Sequence, residues 1–372
     1  MLKHVGIIVA GVLIVAGAGQ GQVTLRHFPS PVNLEETSEN SANVSAGDLD
    51  GDGDLDLVLA KGRHTPLVDR VLLNDGHGRF VATDLAPMAD RTYAAVLADI
   101  DGDGDLDILV SNDAPDRKLV YVNDGKGRFR VAGAWGLPEW STRNAAVADL
   151  NGDKRPDVLA ANRPGPSQMC LNDGTGGFRH PCTAIPIGSA TSVVPADFNN
   201  DRFIDIAVPY RDRGQSLIFI NDGHGNFSRT VPFGPPDATA RVGAAADFDG
   251  DGSQDLVVGD EGKASMVVYL NDGKGALSPG FEVTDRSRVP YAIAAGDLNS
   301  DGRPDVVIGY IWNAAPAVFF NDGTGRTFTE VRFGDGKGSA YGFALGDVDR
   351  DGYPDIALAR TAAPNVLYIS EK

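Results

Sequence analysis

The sequence of 372 residues predicts an all-β fold, a seven-bladed β-propeller of four-stranded antiparallel blades closed by the N-terminal strand completing the last blade. Three observations predict it. A nine-residue acidic motif opens at Asp48, Asp99, Asp149, Asp197, Asp247, Asp297 and Asp347, a period of about fifty residues. Six of the repeats also carry Asn-Asp-Gly-x-Gly, as at Asn74-Asp75-Gly76 and Asn321-Asp322-Gly323, which is tight-turn chemistry. Short β-rich apolar runs separate these punctuation marks.

Each repeat reads as four strands in order. Small apolar residues such as Ala94-Ala95-Val96 or Ala292-Ile293-Ala294 make the first strand, and the acidic motif is the loop after it. Leu57-Val58-Leu59 and Val306-Val307-Ile308 exemplify the second strand. A variable polar loop leads to the third, as at Val71-Leu72-Leu73 or Val318-Phe319-Phe320. The Asn-Asp-Gly turn then leads to a fourth strand opening near Phe80, Phe129, Phe178 or Phe227; repeat five has Leu277 there, and repeat six one extra residue before Phe328.

Repeat seven reaches only Val366-Leu367-Tyr368-Ile369. Phe28 precedes Asp48 by the spacing that separates Phe129 from Asp149, so residues around Val23 to Phe28 are expected to supply the missing outer strand. Pairing the two chain ends removes an open edge. The propeller is thus expected to occupy residues 22–372.

Residues 1–18 read as a signal peptide: Lys3 and His4 precede an apolar run from Val5 to Ala18 that ends in Ala16-Gly17-Ala18. The run is short for a membrane span, and an uncleaved anchor is the alternative. A secreted, periplasmic or cell-surface protein is expected. The two cysteines, Cys170 and Cys182, sit symmetrically about the turn at Asn172-Asp173-Gly174, so a disulfide across neighbouring strands is expected in that compartment.

Composition narrows the function. Acidic residues outnumber basic ones by 51 to 33, a net charge of −18, which argues against a general nucleic-acid binder. Hydrophobic content of 42% is enough for a core and argues against wholesale disorder.

Much of the acidity lies in the repeated motif, with Asp at position 1, Asp or Asn at 3, and Asp at 5 and 9. The candidate metal ligands are Asp48, Asp50, Asp52 and Asp56; Asp99, Asp101, Asp103 and Asp107; Asp149, Asn151, Asp153 and Asp157; Asp197, Asn199, Asp201 and Asp205. Repeats five to seven supply Asp247, Asp249, Asp251 and Asp255; Asp297, Asn299, Asp301 and Asp305; Asp347, Asp349, Asp351 and Asp355. Hard oxygen donors in such number suit Ca²⁺, up to seven ions, while Zn²⁺ is disfavoured without clustered His and Cys. An EF-hand needs a carboxylate at position 12, where this chain has Leu59, Val110, Ala160, Val208, Val258, Ile308 and Leu358.

These motifs resemble the FG-GAP/VCBS repeat family, the propeller repeats also found in integrin α subunits. The resemblance spans essentially the whole chain after the signal segment. It implies a calcium-stabilised propeller with ligand recognition on one face, often in extracellular cell adhesion or carbohydrate binding. Position 6 departs from the usual Gly at Lys154 and Arg202. The receptor role of integrin subunits is not carried over.

If the acidic loops line one face, the other face carries the connections between strands two and three and between successive blades. Six residues before each motif Asp stand Ala42, Tyr93, Arg143, Thr191, Arg241, Tyr291 and Tyr341. The other loops add His64, Asp113, Arg163, Tyr210, Arg211, Asp212, Asp260, Glu261 and Trp312. Tyr93, Arg143, Arg241, Tyr291, Trp312 and Tyr341 are the candidate ligand-binding residues, since aromatics interleaved with Arg suit a glycan or an acidic group of an extracellular protein. Ordinary loop packing is the competing reading. No hydrolase, metalloprotease or nucleotide motif appears, so a non-catalytic, monomeric recognition module is expected. A polysaccharide lyase or dehydratase with a loop-face site, and a purely structural secreted scaffold, are the alternatives.

Overall fold

A computed structural model describes residues 23–212 and 214–371, and over these the chain forms seven four-stranded antiparallel sheets. The expected signal segment, residues 1–18, lies outside the described residues. Among the described residues, no helix is long and apolar enough to cross a membrane.

The innermost strands are Ser41–Gly47, Thr92–Ala98, Thr142–Ala148, Val194–Ala196, Ala240–Ala246, Pro290–Gly296 and Ser339–Gly346. Each packs against the innermost strand of both neighbouring blades, and Ser41–Gly47 meets Ser339–Gly346, so the ring is closed. Blade three is the least regular. Its outer strand is only Thr183–Ala184, and Ile185, Ile187, Ala190 and Val193 then enter the core shared with blade four.

Each second strand begins at the position-9 Asp: Asp56–Lys61, Asp107–Asn112, Asp157–Asn162, Asp205–Val208, Asp255–Asp260, Asp305–Tyr310 and Asp355–Thr361. After that Asp these strands run apolar for at least three residues, because both of their faces are buried. Val58 and Ala60 pack into the seam with blade two, alongside Ile108 and Val110. Leu57 and Leu59 point the opposite way, into the seam with blade seven, alongside Ala357 and Ala359. The two-residue side-chain period of a strand therefore divides each blade between two cores. The hydrophobic core is a set of seven inter-blade seams.

The ring closes through the N-terminal segment, but a few residues later than expected. Pro31–Asn33, rather than Val23 to Phe28, forms the outer strand of blade seven, pairing Pro31 with Tyr368 and Asn33 with Val366. A single bridge, His27 to Glu371, extends the contact. Pro29 and Pro31 have no N–H to donate, which interrupts the ladder between these pieces. Phe28 is buried against Phe333, at 5.4 Å between ring centroids.

Cys170 and Cys182 form a disulfide with their Cα atoms 4.5 Å apart. The pairs Gln168–Ala184 and Met169–Thr183 set a register that places the two cysteines opposite one another.

Candidate metal loops and binding face

Each acidic loop is folded by its own carboxylates. In blade one, Asp48 accepts hydrogen bonds from the backbone N–H groups of Gly51 at 2.8 Å and Gly53 at 3.1 Å. Asp52 accepts from Asp54 N–H at 2.9 Å. The position-9 residue, Asp56, is fully buried and accepts from Leu49 N–H and Asn74 N–H, both at 2.8 Å. It therefore ties the acidic loop to the Asn-Asp-Gly turn of its own blade. Asp107, Asp157, Asp205, Asp255, Asp305 and Asp355 repeat this pair of bonds, with Ser370 replacing Asn in blade seven. Burial pushes these carboxyls up, to about 6 at Asp56 and Asp107, about 7 at Asp255 and about 8 at Asp305, against the lowering effect of the backbone donors.

The loops are not equivalent. Ligand oxygens lie within 4.8 Å of one another for Asp48, Asp50 and Asp56; for Asp99, Asp101 and Asp107; for Asp247, Asp249 and Asp251; and for Asp347, Asp349 and Asp351. These four blades have Asp at position 3. In the other three, the position-3 amide instead donates to the position-5 carboxylate: Asn151 to Asp153 at 3.3 Å, Asn199 to Asp201 at 2.8 Å, and Asn299 to Asp301 at 3.0 Å. Arg155 and Arg303 also pair with Asp153 and Asp301, at 3.0 and 2.7 Å. The four convergent sets offer only carboxylate oxygens, a donor chemistry that fits a hard divalent cation such as Ca²⁺.

Backbone geometry at position 6 follows the expectation from glycine. Gly53, Gly104, Gly252, Gly302 and Gly352 have positive φ, and so do Lys154 at 67° and Arg202 at 74°. Position 4 makes the same demand, which the sequence reading missed: Asn200, Ser300 and Arg350 take φ of 59°, 56° and 63° where other blades have Gly.

At the far end of the inner strands the structure assembles the second candidate site. In six blades the innermost strand carries a register shift that leaves one residue out of the ladder. That residue is Ala42, Tyr93, Arg143, Arg241, Tyr291 or Tyr341, the position six before the motif Asp. A bulge bends the strand and re-aims the extra side chain. Six residues at about 3.3 Å each separate the bulges from the acidic loops by roughly 20 Å, so the two sites are at opposite ends of the ring. Thr191 precedes the shorter innermost strand of blade four, and its hydroxyl donates to Arg241 O at 3.5 Å.

The bulged residues meet across the blades. Arg241 stacks on Tyr291 at 3.4 Å from the ring centroid, and Tyr291 meets Tyr341 edge-on at 4.9 Å. Arg63 stacks on Tyr341 at 3.8 Å and lies 6.0 Å from Tyr93, whose ring also carries Arg143 at 4.6 Å. Arg63 comes from the loop after the second strand of blade one and reaches between the tyrosines of blades seven and two. No local signal in the sequence distinguishes it from other loop arginines.

Most loop charges are paired. Asp113 holds Arg143 at 2.8 Å and approaches His64 at 3.4 Å; Arg163 pairs with Asp212 at 2.6 Å; Glu261 is shared by Arg211 at 2.6 Å and Arg241 at 3.6 Å. Tyr210 donates to Ile187 O, and Asp260 accepts from Thr239 at 2.7 Å, so both are committed to loop structure. His64 is held below its ordinary range by burial and by the nearby guanidiniums of Arg143 and Arg63. Trp312 is apart from this cluster: it is 75% exposed, and among the described residues no aromatic or cationic side chain stacks on it.

An FG-GAP-like repeat model matches residues 48–110, 99–160, 149–208, 197–258 and 247–308. No curated protein matches the chain. Among solved structures, an Agrocybe aegerita lectin, described as specifically recognising non-reducing terminal N-acetylglucosamine, is 21% identical with a TM-score of 0.56, over 78% of this chain and 80% of its own. A chain of a BBS1N–ARL6DN complex soaked with lead is 12% identical with a TM-score of 0.65, over 93% of this chain and 96% of its own. At such identities the likeness is one of fold.

Proposed function

The chain belongs to the FG-GAP-like repeat family, and on that premise we propose that it is an exported, calcium-binding recognition module that takes a carbohydrate or protein ligand on the face opposite its acidic loops. The observation that carries this reading is the set of bulged Arg and Tyr residues. A single position, repeated once per blade, brings them from separate blades to one end of the ring, where Arg241, Tyr291, Tyr341 and Tyr93 present aromatic and guanidinium groups together. Such groups bind sugars and acids by stacking and by paired hydrogen bonds. The lectin among the structural neighbours supports a carbohydrate, and the disulfide supports an oxidising compartment. The acidic loops then serve as calcium-stabilised scaffold.

A glycan and protein binding screen, run with calcium and with chelator, tests this. A saturable ligand is expected, with binding lost on Arg241→Ala or Tyr291→Ala while the fold persists. Retained full affinity in both variants would place the ligand elsewhere.

One contact favours a second, catalytic reading. Tyr93 Oη lies 2.8 Å from His64 Nε2, and His64 Nδ1 lies 3.4 Å from Asp113, so a proton-transfer relay is available beside two guanidiniums. Turnover of an acidic polysaccharide that stops in His64→Ala and Tyr93→Phe would select it.

A further inference from the structure

We propose that this face is built for a carboxylated sugar, with the carboxylate of a uronate-bearing glycan received by Arg63 and further uronates by the neighbouring Arg143 and Arg241. The inference rests on the reading of this face as the ligand site and adds the chemical class of the ligand.

The first support is a charge imbalance. In the ion pairs on this face, four guanidiniums (Arg143, Arg163, Arg211 and Arg241) share three carboxylates (Asp113, Asp212 and Glu261), and Arg63 lies beside them. The surplus sits in a protein of net charge −18. Arg63 is the residue left over: among the described residues no carboxylate comes within ion-pairing distance of it, and its one side-chain bond is from Nη1 to Thr361 Oγ1 at 3.3 Å. In so acidic a chain, an arginine fixed in place without an acidic partner is poised for an external anion.

The second support is unspent hydrogen-bonding capacity. The Nε atoms of both Arg63 and Arg241 are buried and have no acceptor. A buried donor left unpaired carries a desolvation cost that an incoming acceptor relieves. Stacking explains how these side chains are held: Tyr341 backs Arg63 and Tyr291 backs Arg241, which fixes each guanidinium plane and leaves hydrogen bonding to its N–H edge. A planar carboxylate matches that edge through two parallel hydrogen bonds.

The third support is spacing. Arg241, Arg63 and Arg143 alternate with tyrosine rings around the mouth, separated by the Tyr291–Tyr341 pair on one side and by Tyr93 on the other. Guanidiniums repeated between aromatic rings suit a polymer in which carboxylates recur along a chain of sugar rings. An isolated carboxylate would use only one of them.

The test is titration calorimetry of the full chain at constant saturating calcium, using an oligogalacturonate and its carboxyl-reduced counterpart. The expected result is at least tenfold tighter binding of the acidic oligosaccharide. Arg63→Gln should lose most of that preference, and Arg63→Lys, which keeps the charge but not the paired donors, should fall between. Melting curves establish that each variant folds, and Arg63→Lys alone decides the matter if Arg63→Gln does not. Equal affinity for the two oligosaccharides, or no binding of either, overturns the proposal. So does an acidic preference undiminished by Arg63→Gln, because the uronate is then held away from Arg63. None of these results touches the reading of the face itself, which fails only if its ligand is indifferent to Arg241 and Tyr291.

Discussion

Asn123 donates from its side-chain amide to Leu49 O at 2.7 Å, across the seam from blade two to the acidic loop of blade one. The same amide donates to Leu106 O of its own blade at 3.0 Å, while Asn123 N–H bonds Asp107. Asn74, Asn172, Asn221, Asn271 and Asn321 make the equivalent bond to Val348, Ile100, Leu150, Phe198 and Phe248, at 2.8 to 2.9 Å. The Asn of the Asn-Asp-Gly turn is therefore an inter-blade latch, and it anchors the backbone of the candidate metal loop in the preceding blade.

Replacing Asn123 by Ala leaves two carbonyls without their donor in a buried seam. The expected loss is about 2–3 kcal/mol of stability, read by denaturant unfolding. A loss of a few tenths, as at an exposed turn, would show that the latch carries no weight.

Chelation should lower the melting temperature of the whole ring, since the loops are latched to one another and binding to the native state alone adds stability. Blades three and four are expected to bind calcium most weakly. Lys154→Gly and Arg202→Gly should each tighten a site by roughly 1 kcal/mol by relieving positive φ. Blade four has a second such residue in Asn200, so Asn200→Gly with Arg202→Gly should gain more than either alone. Calcium titrations indifferent to all three substitutions would remove backbone strain as the ranking factor.

The Cys170–Cys182 bridge staples the shortest outer strand of the ring. Converting both cysteines to Ser should cost about 2–3 kcal/mol, given the small loop enclosed. Local hydrogen exchange should rise first over Thr183–Ala184. Unchanged protection there would mean that the packing of Ile185 and Ile187 holds the segment without the bridge.

Asp69 gives a pH dependence away from the metal loops. It is buried, accepts from Lys61 N–H at 2.7 Å and Thr92 Oγ1 at 2.8 Å, and burial pushes its carboxyl up to about 7. Between about pH 4 and 7 the folded state therefore holds a proton that the unfolded chain has released, and this residue's contribution to stability falls as pH rises through that window. Asp69→Asn removes the dependence. Relative to wild type it should gain roughly 1–3 kcal/mol at pH 8 over its value at pH 5. Parallel stability curves for the two proteins across that range would refute the assignment.

The repeat, the four strands per blade, the seven-fold count and the disulfide were legible in the sequence because each is encoded locally. A motif recurs, a turn needs Gly, and two cysteines sit symmetrically about a hairpin. The candidate metal residues were legible for the same reason, though not their division into loops that converge and loops that do not. That division depends on whether position 3 turns a carboxylate or an amide toward position 5.

The architecture is written locally, because period, turn chemistry and strand alternation are short-range properties of the chain. Tertiary structure alone decided three things. It set the closing strand at Pro31–Asn33, where the prolines interrupt pairing, and it made the turn asparagines latches between blades. It also brought Arg63 between Tyr341 and Tyr93, the two ends of a contact whose partners are hundreds of residues apart in sequence. Such contacts arise only when the ring closes and blade one meets blade seven, and no local pattern records which side chains that closure will bring together.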